Sequence, residues 1–271
     1  YFDKFDGQAV PCDDFIAHMQ EASGIDLTQF RRWYSQSGTP EISYSGQYDA
    51  AARTYSLTLM QQTPATADQN VKQNLHIPIA VGLIGQSGKD VPLVLKGDEC
   101  GNGPDTRVLH LQDASQTFVF DNVSGPVVPS VLRGFSAPVK ITTDPSTEEL
   151  VFRMAHDSDP FNKYEATERL MLKTIHGLIR DYEDEIPMTV SREFLDAYGL
   201  NLANAADGDM AFAARTLQLP SYSLVIQNLK AVDPDAVDAA MGFLRQKLAK
   251  TFNVEFEFLY RDTAAPAGEK Y

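Results

Sequence analysis

Between Leu75 and Leu83 every second residue is a large aliphatic: Leu75, Ile77, Ile79, Val81 and Leu83. A period of two sets all five on one face of an extended strand, whereas a helix would scatter them around its circumference. Tyr55, Leu57 and Leu59 alternate with Thr54, Ser56 and Thr58 in the same manner. Further strands are predicted over Arg107 to Gln112, Ser115 to Phe120, Val131 to Phe135 and Val139 to Thr142. Gly85-Gln86-Ser87-Gly88-Lys89 reads as a hairpin loop into a strand over Val91 to Leu95. Pro78 has no ladder donor, so it points to an edge position or a bulge. Seven or eight short strands between turn clusters, from Glu41 to about Pro145, predict an antiparallel β-sandwich.

Helical periodicity flanks this block. Phe15, Ile16, Met19 and Ala22 form a stripe on a helix that begins near Asp13 and Asp14 and stops at Gly24. Asp26 is placed to cap a second helix, with Gln29 reaching back to the cap amide in a capping-box variant. Leu27, Phe30 and Trp33/Tyr34 follow at helical spacing, and Gly38-Thr39-Pro40 ends the run. Trp33, the single tryptophan, reads as a core anchor at a junction rather than a ligand-stacking group.

After Pro145 the helical period returns and stays. Asp159-Pro160 opens a long helix carrying Phe161, Tyr164, Met171, Ile175, Leu178 and Tyr182. Ser191 caps a helix with Phe194, Leu195 and Tyr198 that closes at Gly199; a third spans about Asp207 to Leu217. Ser221 caps a fourth, with Leu224, Val225 and Leu229, and Asp233-Pro234 begins a fifth, with Val237, Leu244, Leu248 and Phe252. Consecutive helices with short connections suggest an all-α, solenoid-like stack. The polar, small-residue stretch Thr263 to Tyr271 reads as a tail, leaving an apolar face of the last helices uncovered.

The search for chemistry returns structural readings. Gly85 to Lys89 lacks the first glycine of a phosphate-binding loop, Leu83 standing there, and it enters a strand rather than the helix of a nucleophile elbow. Asp157 to Asn162 lacks the glycine and the final glutamate of a calcium loop and reads as a helix cap. Asp181, Glu183, Asp184 and Glu185 read as a solvated face. Asn122-Val123-Ser124 is a formal glycosylation sequon. Cys12 and Cys100 lie far apart without CxxC spacing and read as reduced thiols, a disulfide staying open. Five histidines test for HExxH. His18, His76, His110, His156 and His176 are followed by Met19, Ile77, Leu111, Asp157 and Gly177, and four positions on stand Ala22, Ala80, Ala114, Pro160 and Arg180. None fits at either place. His18 reads as a structural histidine beside the first stripe, while His76 and His110 fall in strands that could bring them together as an adventitious metal pair.

WYSQSGTP, with Trp33, Gln36, Gly38 and Pro40, resembles the W-x-x-Q-x-G-x-P signature of the gluzincin aminopeptidases. Longer segments resemble the bacterial aminopeptidase N branch: IDLTQFRRWYSQSGTP, TPAT at Thr63 to Thr66, LHIPIA at Leu75 to Ala80, QTFVFDNV at Gln116 to Val123 and FSAPVK at Phe135 to Lys140, with LQLPS and VDPDAV further on. The resemblance implies three regions: residues 1–40 as C-terminal helices of a thermolysin-like catalytic domain, 41–145 as an Ig-like β-sandwich, and 146–271 as the first part of a C-terminal helical domain. It also implies a parent that removes N-terminal amino acids from peptides using zinc held by HExxH and a downstream glutamate. In that family a second glutamate activates water, a tyrosine stabilises the oxyanion and a GAMEN segment binds the free amine. All of these lie upstream of Tyr1 in the family's order, so no catalytic, cofactor-binding or metal residue carries over to this chain.

The opening YFDKFDGQAV has no methionine and reads as the middle of an element, so an excised, non-catalytic piece of a longer peptidase is expected, inactive alone and lacking its own zinc. Its partners would be the remainder of the parent chain, and peptides for the parent. A net charge of -14 argues against nucleic-acid and anionic-membrane binding. No apolar run reaches membrane length and no signal peptide is visible, so a cytoplasmic location is expected. The competing reading is a free-standing sandwich plus helical-repeat module that binds a protein or peptide; a longer reading frame encoding HExxH decides between the two.

Overall fold

The computed structural model describes residues 1–98, 103–205, 209–227 and 229–263. It divides into two compact units, Tyr1–Asp144 and Pro145–Tyr271.

The first unit opens with α1 (Phe2–Phe5) and α2 (Cys12–Ser23). Gly24 ends α2 in the left-handed region at φ 70, donating its N–H back to Gln20 O, as the glycine stop requires. Of the predicted stripe only Ile16 is buried; Phe15 and Met19 are exposed. The capping box at Asp26 does not form. Asp26 Oδ1 accepts from Thr28 N–H at 2.9 Å in a local turn, and residues 27–31 run as tight turns into a single-turn helix, α3 (Arg32–Ser35). Gln29 is drawn away because main-chain carbonyls of the sandwich compete for its amide.

Eight strands follow: β1 (Glu41–Asp49), β2 (Thr54–Gln62), β3 (Ile77–Gly85), β4 (Val94–Leu95), β5 (Arg107–Leu111), β6 (Ser115–Asp121), β7 (Val127–Val131) and β8 (Lys140–Ile141). They form a five-stranded sheet in the order β4-β6-β2-β1-β8 and a three-stranded sheet in the order β5-β3-β7. Ile42, Leu57, Leu59 and Phe120 from the first sheet and Ile77, Ile79, Val81, Leu83 and Leu109 from the second share one core, each at most 1 % exposed. The alternating residues of the sequence are thus the inward faces of two packed sheets, and the Ig-like sandwich expectation holds.

Several strand details differ from prediction. β8 pairs parallel with β1, the one parallel ladder among the described strands. The hairpin turn after Gly85 closes through Gly85 N–H to Lys89 O at 2.9 Å, but only the bridge Ile84–Asp90 follows. The chain then crosses to the other sheet, where β4 is shorter than the predicted strand and pairs with β6. The predicted strand Val131 to Phe135 is displaced. β7 precedes it, and Leu132, Gly134 and Phe135 all take positive φ (67, 61 and 51), folding Arg133 back into the sandwich within a 3-10 turn (Arg133–Phe135).

Pro78 lies in the central strand of its sheet but on a locally open side. β7 pairs only with residues 81–85, and Ala80, whose N–H points the same way as position 78, donates to Ser136 Oγ instead of to a strand.

The second unit is helical: α4 (Thr147–His156), α5 (Pro160–Glu183), α6 (Arg192–Ala205), α7 (Met210–Leu217), α8 (Tyr222–Gln227), α9 (Pro234–Thr251) and α10 (Asn253–Thr263). Ser146, Asp159, Asp209 and Asp233 cap their helices through side-chain oxygens, and Ser191 and Ser221 accept from Phe194 and Leu224 N–H. The core joins Leu150, Met171, Ile175, Leu178, Phe194, Tyr198, Val237 and Leu244. α4 and α10 were not separately predicted. α6 does not close at Gly199 but runs on to Ala205, since Gly199 serves packing and not termination. The start of the predicted third helix near Asp207, and the tail beyond Thr263, lie outside the described residues. α10 exposes Val254, Phe258 and Tyr260.

Candidate functional site

Residues 70–76 run extended into β3 without a ladder partner, so their backbone polar groups must be met by side chains. Residues 29–37 supply most of them, and Gln61 of β2 meets both the N–H and the carbonyl of Leu75. Gln29 Nε2 donates to Asn74 O (3.2 Å) and Gln112 O (2.7 Å), and Arg32 Nη1 also donates to Asn74 O. Trp33 Nε1 donates to His76 O at 2.9 Å while its ring packs on the sandwich core. Gln36 reads Gln73 in both directions, Nε2 to the carbonyl (3.0 Å) and Oε1 from the N–H (2.8 Å).

A second clasp lies beside the first. The Lys72 ammonium is held by Ser37 O (2.8 Å), Ser37 Oγ (3.0 Å), Thr66 Oγ1 (2.7 Å) and Gln69 Oε1 (3.0 Å). Gly38, at φ 93, fits against the methyl groups of Thr66 and Thr63, and Pro40 is buried with its carbonyl accepting from Lys140 N–H at 2.9 Å. Each residue of the W-x-x-Q-x-G-x-P run therefore has a structural duty. Trp33, partly buried, anchors its segment to the sandwich core through its ring and its N–H.

His76 and His110 do meet. His76 Nε2 and His110 Nδ1 stand 2.9 Å apart, with ring centroids at 5.0 Å and planes at 63°. His76 is buried and His110 exposed. Burial first, and the neighbouring His110 second, hold the His76 imidazole below its ordinary protonation range. Sequence reasoning placed the two on strands; only the β3–β5 register, with Pro78 opposite His110, made them neighbours.

The remaining histidines are satisfied singly. His18 Nδ1 bonds Asp14 O at 2.8 Å and its ring meets Phe5; His156 meets the Phe152 ring at a tilt of 52°; His176 Nε2 bonds Val225 O at 2.9 Å. Asp159 caps α5, as the sequence indicated, and Asp157 Oδ1 accepts from Asp159 N–H. Glu183, Asp184 and Glu185 are exposed, and Asn122 is a left-handed turn residue at φ 62. Cys12 is exposed and free; Cys100 lies outside the described residues. Among the described residues no three His, Cys, Asp or Glu side chains converge, and no helix is long and apolar enough to cross a membrane. The donor set does not fit a catalytic zinc, because the one histidine pair has no third ligand.

In the helical unit a groove of about 420 Å³ lies between α6, α7 and α10, lined by Leu202, Met210, Leu217, Phe256 and Tyr260. A second, between α4 and α6, is lined by Val151, Phe152 and Leu200 with Glu148, Glu193 and Asp196. The second groove also has His156 and Ser191 in its lining, and Ser191 Oγ is engaged as the acceptor of Phe194 N–H at the start of α6.

Two families match the chain in sequence. Residues 38–144 match a domain of unknown function with an Ig-like fold (DUF3458), and residues 147–271 match its C-terminal companion, described as ARM repeats. The chain is 38% identical over 260 residues to aminopeptidase N of Escherichia coli (strain K12), covering 96% of this chain and 29% of that protein. It is likewise 38% identical over 249 residues to aminopeptidase N of Caulobacter vibrioides, covering 92% of this chain and 27% of that protein. Among solved structures it resembles the Legionella pneumophila aminopeptidase A in complex with aspartic acid, at 25% identity and a TM-score of 0.76, covering 99% of this chain and 29% of that one. The chain thus spans under a third of the length of the relatives it matches.

Proposed function

We infer, from the chain's similarity to aminopeptidase N and its matches to an Ig-like and an ARM-repeat domain in that order, that it is the non-catalytic scaffold of a zinc-dependent peptidase removing N-terminal residues from peptides. The observation that carries this reading is collinear similarity over 96% of the chain, with both domains in order. In this reading residues 1–40 are the last helices of the catalytic domain, and the Trp33 clasp ties them to the sandwich at 41–145. Residues 146–271 begin the helical domain that helps to enclose the site. The HExxH histidines, the water-activating glutamate and the oxyanion tyrosine are supplied by the rest of the relatives' length, and the protein works in the bacterial cytoplasm.

The test compares the 271-residue chain with a longer polypeptide carrying HExxH. After dialysis against metal-free buffer, the longer protein is expected to retain stoichiometric zinc and hydrolyse an aminoacyl arylamide, and the chain to do neither. Turnover with bound zinc in the chain alone overturns the reading.

A further inference from the structure

The backbone carbonyl that receives the Trp33 indole N–H is that of His76, whose ring pairs with His110. We propose that this pair is a proton-operated latch, closed at neutral pH to hold residues 28–37 on the sandwich and opened by acid.

The hydrogen-bond geometry fixes the neutral state. One nitrogen of a 2.9 Å N···N contact carries a proton and the other presents a lone pair. His76 Nδ1 is buried and has no partner. An N–H there would be a buried orphan donor, so the His76 proton belongs on Nε2 and points at His110 Nδ1. His110 then carries its own proton on Nε2.

A further proton finds no comfortable position. On His110 Nδ1 it faces the Nε2–H of His76 head-on across 2.9 Å. Shifting the His76 proton to Nδ1 relieves that clash but buries an N–H with no acceptor. Placed on His76 directly, the charge lies in a site less than a tenth exposed.

The surroundings do not compensate. β5 contributes His110 itself, β2 contributes the neutral Gln61 amide on Leu75 O, and the 28–37 segment contributes Arg32, another cation. Asp113, after β5, enters this region through its main-chain carbonyl, which accepts from Gln61. Burial and His110 are the two influences acting on His76, both opposing protonation. The relief left is for the pair to separate. Moving His76 moves its carbonyl, and with it the acceptor of the Trp33 N–H.

The sign follows from linkage. A histidine held below its unfolded value binds fewer protons when docked, so the docked state is fully favoured above about pH 6.5 and weakens as pH falls below it.

Trp33 is the single tryptophan, so its emission reads the latch directly. The 271-residue chain is titrated from about pH 8 to pH 5, across the imidazole range, by tryptophan fluorescence and far-UV circular dichroism together. The expected result is a shift of emission to longer wavelength below about pH 6.5 with the dichroism unchanged. His76→Gln is expected to abolish the shift, and His110→Gln, at an exposed position, to weaken it, since burial of His76 remains. No shift in the unsubstituted 271-residue chain overturns the latch, as does a shift that survives in His76→Gln or one that coincides with loss of the dichroism signal.

Discussion

The guanidinium of Arg133 occupies the space that a side chain on Gly82 would fill. Arg133 is buried and donates to Asp90 through both terminal nitrogens (2.7 and 3.2 Å), to Ser130 Oγ (2.9 Å) and to Thr106 Oγ1 (2.9 Å). One buried cation thus ties β3, β7 and the loop before β5 together, and the missing Cβ of a strand glycine admits it.

Gly82→Ala should therefore expel the guanidinium and leave Asp90 facing a broken pair. The expected loss is about 3–5 kcal/mol, as for removal of one partner from a buried ion pair. Denaturant midpoints measure it. In an Arg133→Ala background the same glycine substitution should cost under about 1 kcal/mol, because contacting residues are non-additive.

Replacing Trp33 separates packing from hydrogen bonding. Trp33→Ala should destabilise the first unit by about 3 kcal/mol, the lower end for a large aromatic because the ring is only partly buried. Trp33→Phe keeps the ring on the core but loses the donor to His76 O, at about 1 kcal/mol. Equal midpoints for the unsubstituted chain and Trp33→Ala would show that the indole anchors nothing.

Tyr198 gives an alkaline prediction. Its ring stacks on Phe252 with centroids 5.4 Å apart, its hydroxyl donates to Leu217 O at 3.1 Å, and burial pushes its pKa up to about 12. An acid held above its unfolded value near 10 contributes stability that is whole below pH 10 and is lost as pH climbs toward 12. Across that window about 2–3 kcal/mol should go in the unsubstituted chain. Tyr198→Phe starts lower by about 1 kcal/mol from the lost hydrogen bond and should lack that part of the alkaline decline. Urea melts of the two proteins at neutral and alkaline pH give the difference, with the other tyrosines cancelling.

Gly199 tests two opposed effects. A Cβ there would stand 2.8 Å from Cε1 of Phe252. Alanine gains about 1 kcal/mol of helix propensity inside α6, whereas overpacking costs about 1–3 kcal/mol. Since Phe252 is itself wedged against Tyr198, the clash should win and Gly199→Ala should lower the melting temperature of the helical unit. Gly199→Ala with Phe252→Leu should recover part of that loss.

How far the sequence reveals this molecule depends on the range of each interaction. Alternation from Leu75 to Leu83 and the caps at Asp159, Ser191 and Asp233 are local, and they appear where the residues place them. Gly199 reads as a helix stop in the sequence because its partner, Phe252, lies 53 positions away and leaves no mark nearby. The Val131 to Phe135 strand failed for a similar reason. Arg133 turns inward to meet Gly82 and Asp90, and the backbone follows into the left-handed region. Gln29 has the spacing of a capping box, yet distant carbonyls at Asn74 and Gln112 take its amide. The His76–His110 contact could be suspected from two strands but needed their register to be known.

The two-residue ladder between β1 and β8 has a mechanical consequence. Lys140 N–H reaches Pro40 O, and Tyr44 N–H reaches Thr143 Oγ1, 99 residues along the chain. The sandwich is therefore a closed detour whose entrance and exit touch, and because these end strands run parallel, tension on them shears the ladder instead of unzipping it. The bonds of such a short ladder are strained together and give way together, so under pulling the domain should yield in one step at its own doorway while its two sheets are still intact.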